Sequence, residues 1–334
     1  MILYIYRNYT ENHMIATYIW QHEDWPHFRW DEAKIGILLA AVRHRQGLLL
    51  GKLSALGFNV QSNTMLDVMT QDVASSSEIE GVLLDTDAVR SSVARHLGIE
   101  VEGLPEPSHD IDGVVQILLD AVKNAHLPLT KERICNWHAA LFPHGRSGAW
   151  KIVVADWRQN TAPMQVVSGA MGKEKVHYEA PPTNAVPSMM DAFIQWVNTT
   201  TTIDPMLKTI IAHLWFVTIH PFEDGNGRIA RTITDLLMTR ADQIPHRFYS
   251  ISAAILNDRK SYYDILETTQ HGGMDITDWI IWFLHTTNHA IEKTVSTLDL
   301  IADKARFWSR HQIEEVNPRQ LKIVNRLLDG FNGL

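Results

Sequence analysis

Twelve residues, His220-Pro-Phe-Glu-Asp-Gly-Asn-Gly-Arg-Ile-Ala-Arg231, place an imidazole, an acid pair, two glycines and two arginines directly after a long apolar run. Pro221 disfavours the α conformation at His220, so the preceding helix should end there. Gly225 and Gly227 permit positive φ, and Asn226 tolerates it better than most residues. A new helix is expected from about Gly227 or Arg228. Its first amides have no intrahelical partner and sit at the positive end of the helix dipole, which makes an anion cradle. Arg228 and Arg231, three apart, share a helix face beside it. An anion with several oxygens, such as a polyphosphate, fits best. Asp224 next to such an anion suggests Mg²⁺, with Mn²⁺ as its substitute, because Mg²⁺ takes one or two carboxylates plus phosphate oxygens and water. His220 is the residue type suited to proton transfer near neutrality. Each part alone has an ordinary reading: a helix cap, turn glycines, a solvated arginine face. Together at this spacing they are the parts for moving a phosphorus centre onto a hydroxyl.

A second acid stands out in Ser75-Ser-Ser-Glu-Ile-Glu80-Gly81, which contains Ser76-x-x-x-Glu80-Gly81. A helix reads from about residue 63 to 81, with Met65, Leu66, Met69 and Val73 on one face. Ser76 and Glu80 then share a face, and Gly81 is a C-terminal cap by type. The helix dipole disfavours a carboxylate at that end by up to about 1 kcal/mol. A compensating cation would explain the placement.

The elements that must position these groups are mostly helical. Asp31 can cap a helix through Ile35, Leu38, Leu39 and Val42, which recur at helical spacing. "VVQILLDAVKNAH", "TKERICNWHAALF", "VPSMMDAFIQWVNTT", "GRIARTITDLLMTRAD", "YYDILETTQ" and "ITDWIIWFLHTTNHAIEKTVSTL" read as further helices. "MLKTIIAHLWFVTI" is apolar almost all round and should be central and buried. "WKIVVADWRQN" and "MQVVSG" are β-branched and flanked by turn residues, which predicts a hairpin. The proline-, glycine- and acid-rich "GIEVEGLPEPSHDIDG" marks a boundary. The expected division is 1–105, 106–300 and 301–334.

The chain has 334 residues, 45% hydrophobic and 20% charged, so it can bury a sizeable core. A net charge of -8 gives no global attraction to nucleic acid or an anionic membrane. The one cysteine, Cys135, allows no intramolecular disulfide; its apolar helical setting suggests a small core residue rather than a nucleophile. Only six residues precede Arg7, too few for a signal or a membrane span. A cytoplasmic protein without membrane contact is expected.

The twelve-residue stretch also fits the signature H-x-F-x-[DE]-G-N-G-R-x-x-R of the Fic (Fic/DOC) family at every fixed position, and the resemblance extends roughly over residues 110–298. It implies a Fic-type helical bundle with a small β-hairpin flap and an N-terminal helical region. It implies protein AMPylation, the nucleotidyl transfer of AMP from ATP to a Ser, Thr or Tyr hydroxyl of a target protein with release of pyrophosphate; the chain itself is one candidate target. By resemblance, His220 deprotonates the hydroxyl and Asp224 holds Mg²⁺. Gly225, Asn226 and Gly227 bind phosphates, Arg228 and Arg231 reach the outer ones, and Phe222 anchors the loop. The flap, here "MQVVSG", pairs with the target backbone as an added strand, with Val166, Val167, Ser168 and Gly169 nearest the nucleotide. "SYYDILETTQ" resembles the adenine-pocket segment, which places Tyr262, Tyr263 and Gln270 there; Gln270 stands where the family pattern leads one to expect Asn.

Ser76 to Gly81 fits the family's inhibitory pattern [ST]-x-x-x-E-[GN]. The resemblance implies that Glu80 pairs with Arg231 and admits ATP only in an unproductive pose. "YIWQHEDWPHFRWD" resembles the N-terminal region of one group of Fic proteins. "NPRQLKIVNRLLDGF" resembles the start of a winged helix that ends too early here to be complete, so DNA binding is expected only of a complete module. A homodimer that steadies the inhibitory helix fits the same picture. Competing readings are transfer of another phosphate-containing group, removal of AMP, and a nucleotide-binding regulator with a DNA-binding tail. For the last, Lys304, Arg306, Arg310, Arg319, Lys322 and Arg326 are interleaved with Asp303, Glu314 and Glu315. A metal hydrolase built on His220, Asp224, His213 and His285 lacks zinc spacing.

Overall fold

The computed structural model describes residues 3–6 (backbone only), 18–101, 103–169, 173–244, 246–310 and 317–328. Helices dominate: α1 Glu32–Ser54, α2 Phe58–Ile79, α3 Thr86–Leu97, α4 His109–Lys123, α5 Lys131–Leu141, α6 Val186–Thr199, α7 Pro205–Ile219, α8 Asn226–Asp242, α9 Ile251–Asn257, α10 Arg259–Gln270, α11 Thr277–Arg310 and α12 Pro318–Leu328. Their starts follow local chemistry. The Asp31 carboxylate accepts from the amides of Ala33 and Lys34 and Asp204 from those of Met206 and Leu207 ahead of Pro205, so each satisfies amides that the first turn leaves open.

Helix α7 is the axis, buried along nearly its whole length. One side, with Ala212, Trp215, Phe216 and Ile219, joins a core shared with α2–α6 and α8. The other, with Met206, Ile210, Ile211 and Leu214, joins a core shared with α1, α9, α10 and α11. Helix α2 contributes Leu66, Met69 and Val73 to the first core and Ile79 to the second. The N-terminal helices therefore pack into the same cores that carry the central helix. His213 of α7 is fully buried between the Thr234 hydroxyl at 2.9 Å and the Tyr262 hydroxyl at 3.0 Å. It is a satisfied core histidine.

The strands are few: β1 Leu3–Tyr6, β2 Arg146–Ser147, β3 Trp150–Lys151, β4 Met164–Ser168 and β5 Lys175–Glu179. The hairpin is β4–β5, antiparallel, with a bulge between Val166 and Val167. Strand β1 adds antiparallel to the outer edge of β4, with Tyr4 opposite Val166. The expected strand through "WKIVVADWRQN" does not form. Trp150–Lys151 pairs only with Arg146–Ser147, and the rest is irregular. Its amides are taken from elsewhere: Val153 N–H by the Glu223 carboxylate at 2.9 Å and Arg158 N–H by Pro221 C=O at 2.8 Å. Ile152 and Val154 pack on the first core instead of onto a sheet. Two helix bounds also differ from expectation. Helix α2 begins at Phe58 rather than near residue 63, and α8 begins at Asn226.

The last helix, α12, packs on α11, and the Trp308 indole N–H donates to Asn325 at 2.9 Å. Glu314 and Glu315 lie outside the described residues. Among the described residues no helix is long and apolar enough to cross a membrane. Cys135 is buried, and burial pushes its thiol up to about 11, so it stays protonated at neutral pH.

Two measurements test this packing. A Cβ at Gly113 of α4 would lie 2.2 Å from the Ala140 carbonyl oxygen of α5. Gly113→Ala should therefore destabilise by about 1–3 kcal/mol, the usual cost of overpacking, read as a lower midpoint in chemical denaturation. Burial also pushes His138 down to about 4 and His213 to about 3. With folded values below the ordinary one, the unfolded chain takes up these protons first. The stability they contribute is complete above about pH 6.5 and is lost as pH falls toward 4. Tm should drop across that window, and a flat Tm from pH 7 to 4 would contradict the assignment.

Candidate active site

The loop between α7 and α8 is held by contacts within itself and to α5. His220 caps α7 in the left-handed region, φ 53 and ψ 58, with its N–H donating to Phe216 C=O at 3.1 Å. Phe222 is fully buried, with the His138 ring stacked parallel on it at 4.0 Å and Trp157 at 5.2 Å. Asn226 closes the turn: its side-chain oxygen accepts from Phe222 N–H at 2.9 Å and its amide donates to Phe222 C=O at 2.8 Å. Its side chain is thus committed to the loop, and what it can offer an anion is its backbone amide. Gly225, at φ 84, is the residue before α8; a Cβ there would meet Phe142 at 2.9 Å. This one glycine is required by both conformation and space.

Three partners of the loop come from distant sequence. His138 Nδ1 accepts from Ala155 N–H at 3.4 Å, so Nε2 carries the proton and donates to Asp224 C=O at 3.1 Å. Ser147 donates to the Asp224 carboxylate. Arg158 donates to His220 C=O at 2.9 Å. None was flagged by the sequence, because none belongs to a local pattern. Arg228 Nη2 stands 3.9 Å from Asp224 Oδ1, and its guanidinium lies over Phe142 at 4.9 Å.

The imidazole of His220 has a defined tautomer. Its Nδ1 lies 3.2 Å from Val217 C=O, which can only accept, so Nδ1 carries the proton and Nε2 the lone pair. Burial pushes the group down to about 4; the Val217 carbonyl and Asp224 oppose that shift and Arg158 adds to it. The ring is therefore neutral at pH 7, with a base at Nε2.

The second acid meets the loop at Arg231, the cation that the family resemblance named. Arg231 is 1% exposed. Its Nη2 donates to Glu80 Oε1 at 2.9 Å and to Ser76 C=O at 2.8 Å, and its Nε donates to the Ser76 hydroxyl at 2.9 Å. Burial alone would lower the arginine's pKa; Glu80, with Tyr262 and Tyr263, outweighs it and holds the group above its ordinary value. Gly81, at φ 85, turns the chain away after α2. The Glu80 carboxylate also lies on the first turn of α8: a Cβ at Gly227 would be 1.9 Å from Oε1. A carboxylate thus rests where the open amides of α8 would receive an anion.

Glu80, Val166, His220, Gly227, Tyr262, Tyr263 and Gln270 line one cavity of about 50 Å³, far below the roughly 300–1,000 Å³ of small-molecule sites. Tyr263 donates to Ile79 C=O at 3.2 Å and so holds the end of α2, while Gln270 donates to Thr218 at 3.3 Å. Of the flap residues, Val166 reaches the cavity. Val167 is buried on the opposite face of β4, Ser168 is bonded to His177 at 2.5 Å, and Gly169 lies against Lys173 C=O. Among the described residues no group of three His, Cys, Asp or Glu side chains is assembled for a metal ion.

Residues 18–99 match a domain of unknown function, DUF4172, and residues 128–238 match the Fic/DOC family. A probable protein adenylyltransferase of Aquifex aeolicus is 28% identical over 101 residues, 30% of this chain and 29% of the relative. Protein adenylyltransferase fic-1 of Caenorhabditis elegans is 30% identical over 112 residues, 33% of this chain and 20% of the relative. The matches thus span less than a third of these relatives' length. Among solved structures, a Fic family protein from Desulfovibrio desulfuricans superposes with a TM-score of 0.56 at 21% identity, covering 78% of this chain and 74% of that one. Fic-1 of C. elegans gives 0.58 at 19% identity, covering 80% and 74%. The helical fold, the His220–Arg231 loop and the matched region lead to one conclusion: residues 128–238 form a Fic/DOC-family domain, set in a helical fold shared with solved Fic proteins.

Proposed function

We propose that this protein transfers AMP from ATP to a Ser, Thr or Tyr hydroxyl of a protein, and that Glu80 holds it inactive. The observation that carries the reading is the Glu80 carboxylate, bonded to Arg231 and resting on Gly227 in the cavity that His220 lines. The relatives named as adenylyltransferases support the chemistry.

In this reading the acceptor hydroxyl gives its proton to His220 Nε2 as its oxygen attacks the α-phosphorus. The bond from that phosphorus to the leaving pyrophosphate oxygen breaks. The amides opening α8 receive phosphate oxygens, and Arg231 and Arg228 take the outer charge. Asp224 fits Mg²⁺ by its donor set: one partly exposed carboxylate leaves the other coordination positions to phosphate and water. Bound there, the ion would neutralise phosphate charge. An acceptor strand adding to β4 would take the edge now occupied by Leu3–Tyr6. With Glu80 in place, its carboxylate fills the anion cradle and occupies Arg231, and the cavity is too small for a nucleotide.

Labelling with ATP tagged on the α-phosphate tests this directly. Glu80→Gly should raise self-labelling by about tenfold or more, a shift of about 1.4 kcal/mol or more. Adding His220→Ala should remove about 10²–10⁴-fold of that signal. A γ tag should not be retained. Bound ATP with no label in any variant would falsify the transfer. Removing Glu80 also leaves a buried guanidinium without its anion, which costs about 3–5 kcal/mol in comparable pairs. The Glu80→Gly chain should melt lower than wild type without nucleotide and gain more Tm from ATP than wild type does; equal gains would count against the pairing as the block.

A further inference from the structure

We propose that Arg158 is a positioning residue that ties the stem of the flap to the base, fixing His220 in its left-handed conformation. The inference rests on the reading of His220 as the base. Arg158 is 2% exposed and lies in the irregular segment between β3 and β4. Its Nε donates to His220 C=O at 2.9 Å, and its own amide donates to Pro221 C=O at 2.8 Å. The two consecutive carbonyls of the catalytic turn are thus held by one residue. Its other nitrogens reach past the end of β5: Nη1 donates to the Thr183 hydroxyl at 2.7 Å and Nη2 to Pro181 C=O at 2.5 Å. Thr183 in turn donates to Asn160 C=O.

A non-glycine residue in the left-handed region persists only where its surroundings over-determine it. Upstream of His220, helix α7 fixes the amide and Val217 fixes the ring. Downstream, Arg158 fixes the carbonyl. The forked guanidinium suits this task, since its planar donors address several oxygens at set angles where an ammonium cannot. Because the same group grips Pro181 and Thr183, a shift of the flap stem is transmitted to the peptide that follows the base.

Arg158 also places a buried positive charge beside the imidazole. The other charged or titratable groups facing His220 are Asp224 in its own loop, Glu80 at the end of α2, Tyr178 of β5, and Tyr262 and Tyr263 of α10. The experiment separates charge from geometry. The titration of the His220 ring, followed by NMR with its signal assigned through His220→Asn, should move to higher pH in Arg158→Gln and stay in place in Arg158→Lys. In the Glu80→Gly background, kcat for α-labelled transfer should fall by about 10- to 100-fold in both variants, the range expected of a misplaced catalytic group. KM for ATP should change by less than about threefold, since the anion cradle is untouched. Thr183→Val, which removes the hydroxyl bonded to Arg158 and Asn160 but keeps the Pro181 carbonyl contact, should lower kcat in the same sense by a smaller factor. The proposal is overturned if the His220 titration is the same in the Gln and Lys variants, or if Thr183→Val leaves kcat unchanged. Absence of transfer in the Glu80→Gly parent would count against the transferase reading alone, because the NMR arm needs no nucleotide.

Discussion

A guanidinium sealed inside the protein needs an anion. Arg231 sits one turn into α8, nearly without exposure, and much of the site is arranged around that need. An isolated buried charge is costly, and a buried pair loses several kcal/mol when one partner is removed. In this chain the last turn of α2 supplies the counter-charge through Glu80 and two further oxygens through Ser76. The same carboxylate lies on Gly227, at the positive end of α8. One anion therefore satisfies both a side-chain cation and a helix terminus. Any other anion bound there has to replace it on both counts. That requirement links the packing of an N-terminal helix to the chemistry of a loop more than a hundred residues away.

The loop is pinned by its own contacts and by rings packed on it. Asn226 bonds both backbone groups of Phe222, and Phe222 is wedged between His138 and Trp157. His138 and His220 are held neutral by burial, so neither adds positive charge to the arginines already there. Neutrality also defines the hydrogen-bond roles. His138 receives from Ala155 and gives to Asp224 C=O, while His220 gives to Val217 C=O and keeps its lone pair at Nε2. The geometry of the loop and the protonation of its histidines have a common cause in burial.

How much of this was legible in the sequence follows from how local each signal is. The end of α7 at His220, the glycines before α8, and the shared face of Ser76 and Glu80 are consequences of a few adjacent residues. Each could be read without a fold. The match of Glu80 to Arg231 needed a contact 151 residues apart, and the dipole argument asked for a cation without naming one; the family pattern named it. Arg158, His138 and Ser147 act on the loop across 62, 86 and 77 residues, and nothing in their own surroundings marks them. The hairpin was misplaced for a related reason. "WKIVVADWRQN" has strand composition, yet its amides are claimed by Glu223 and Pro221 and its apolar residues by a helical core. Propensity describes a segment's preference and cannot see a competing acceptor that arrives from elsewhere.

The way α2 is anchored constrains how Glu80 can leave Arg231. Asp72, Ser76 and Glu80 follow one another at four-residue spacing, so one stripe of the helix faces α8 and its neighbours. Asp72 accepts from the Ser250 hydroxyl and from Ser252 N–H at 3.3 Å, and it is bonded to the Asp235 carboxyl of α8. Burial and the Asp72 charge push Asp235 up, while the Arg247 guanidinium, 3.3 Å from its carboxylate, opposes that shift. Lifting the whole helix would break those bonds and uncover Leu66, Met69 and Val73, at about 1.5–3 kcal/mol for each side chain. Glu80 itself is the residue just past the last helical one, its side chain is 12% exposed, and Gly81 follows. Rotating that side chain disturbs none of the deeper contacts, whereas fraying the final turn, held by Tyr263, would also uncover Ile79. In the proposed release of Arg231, the energetics favour a movement confined to the Glu80 side chain and the end of α2, with the rest of the helix remaining in the core.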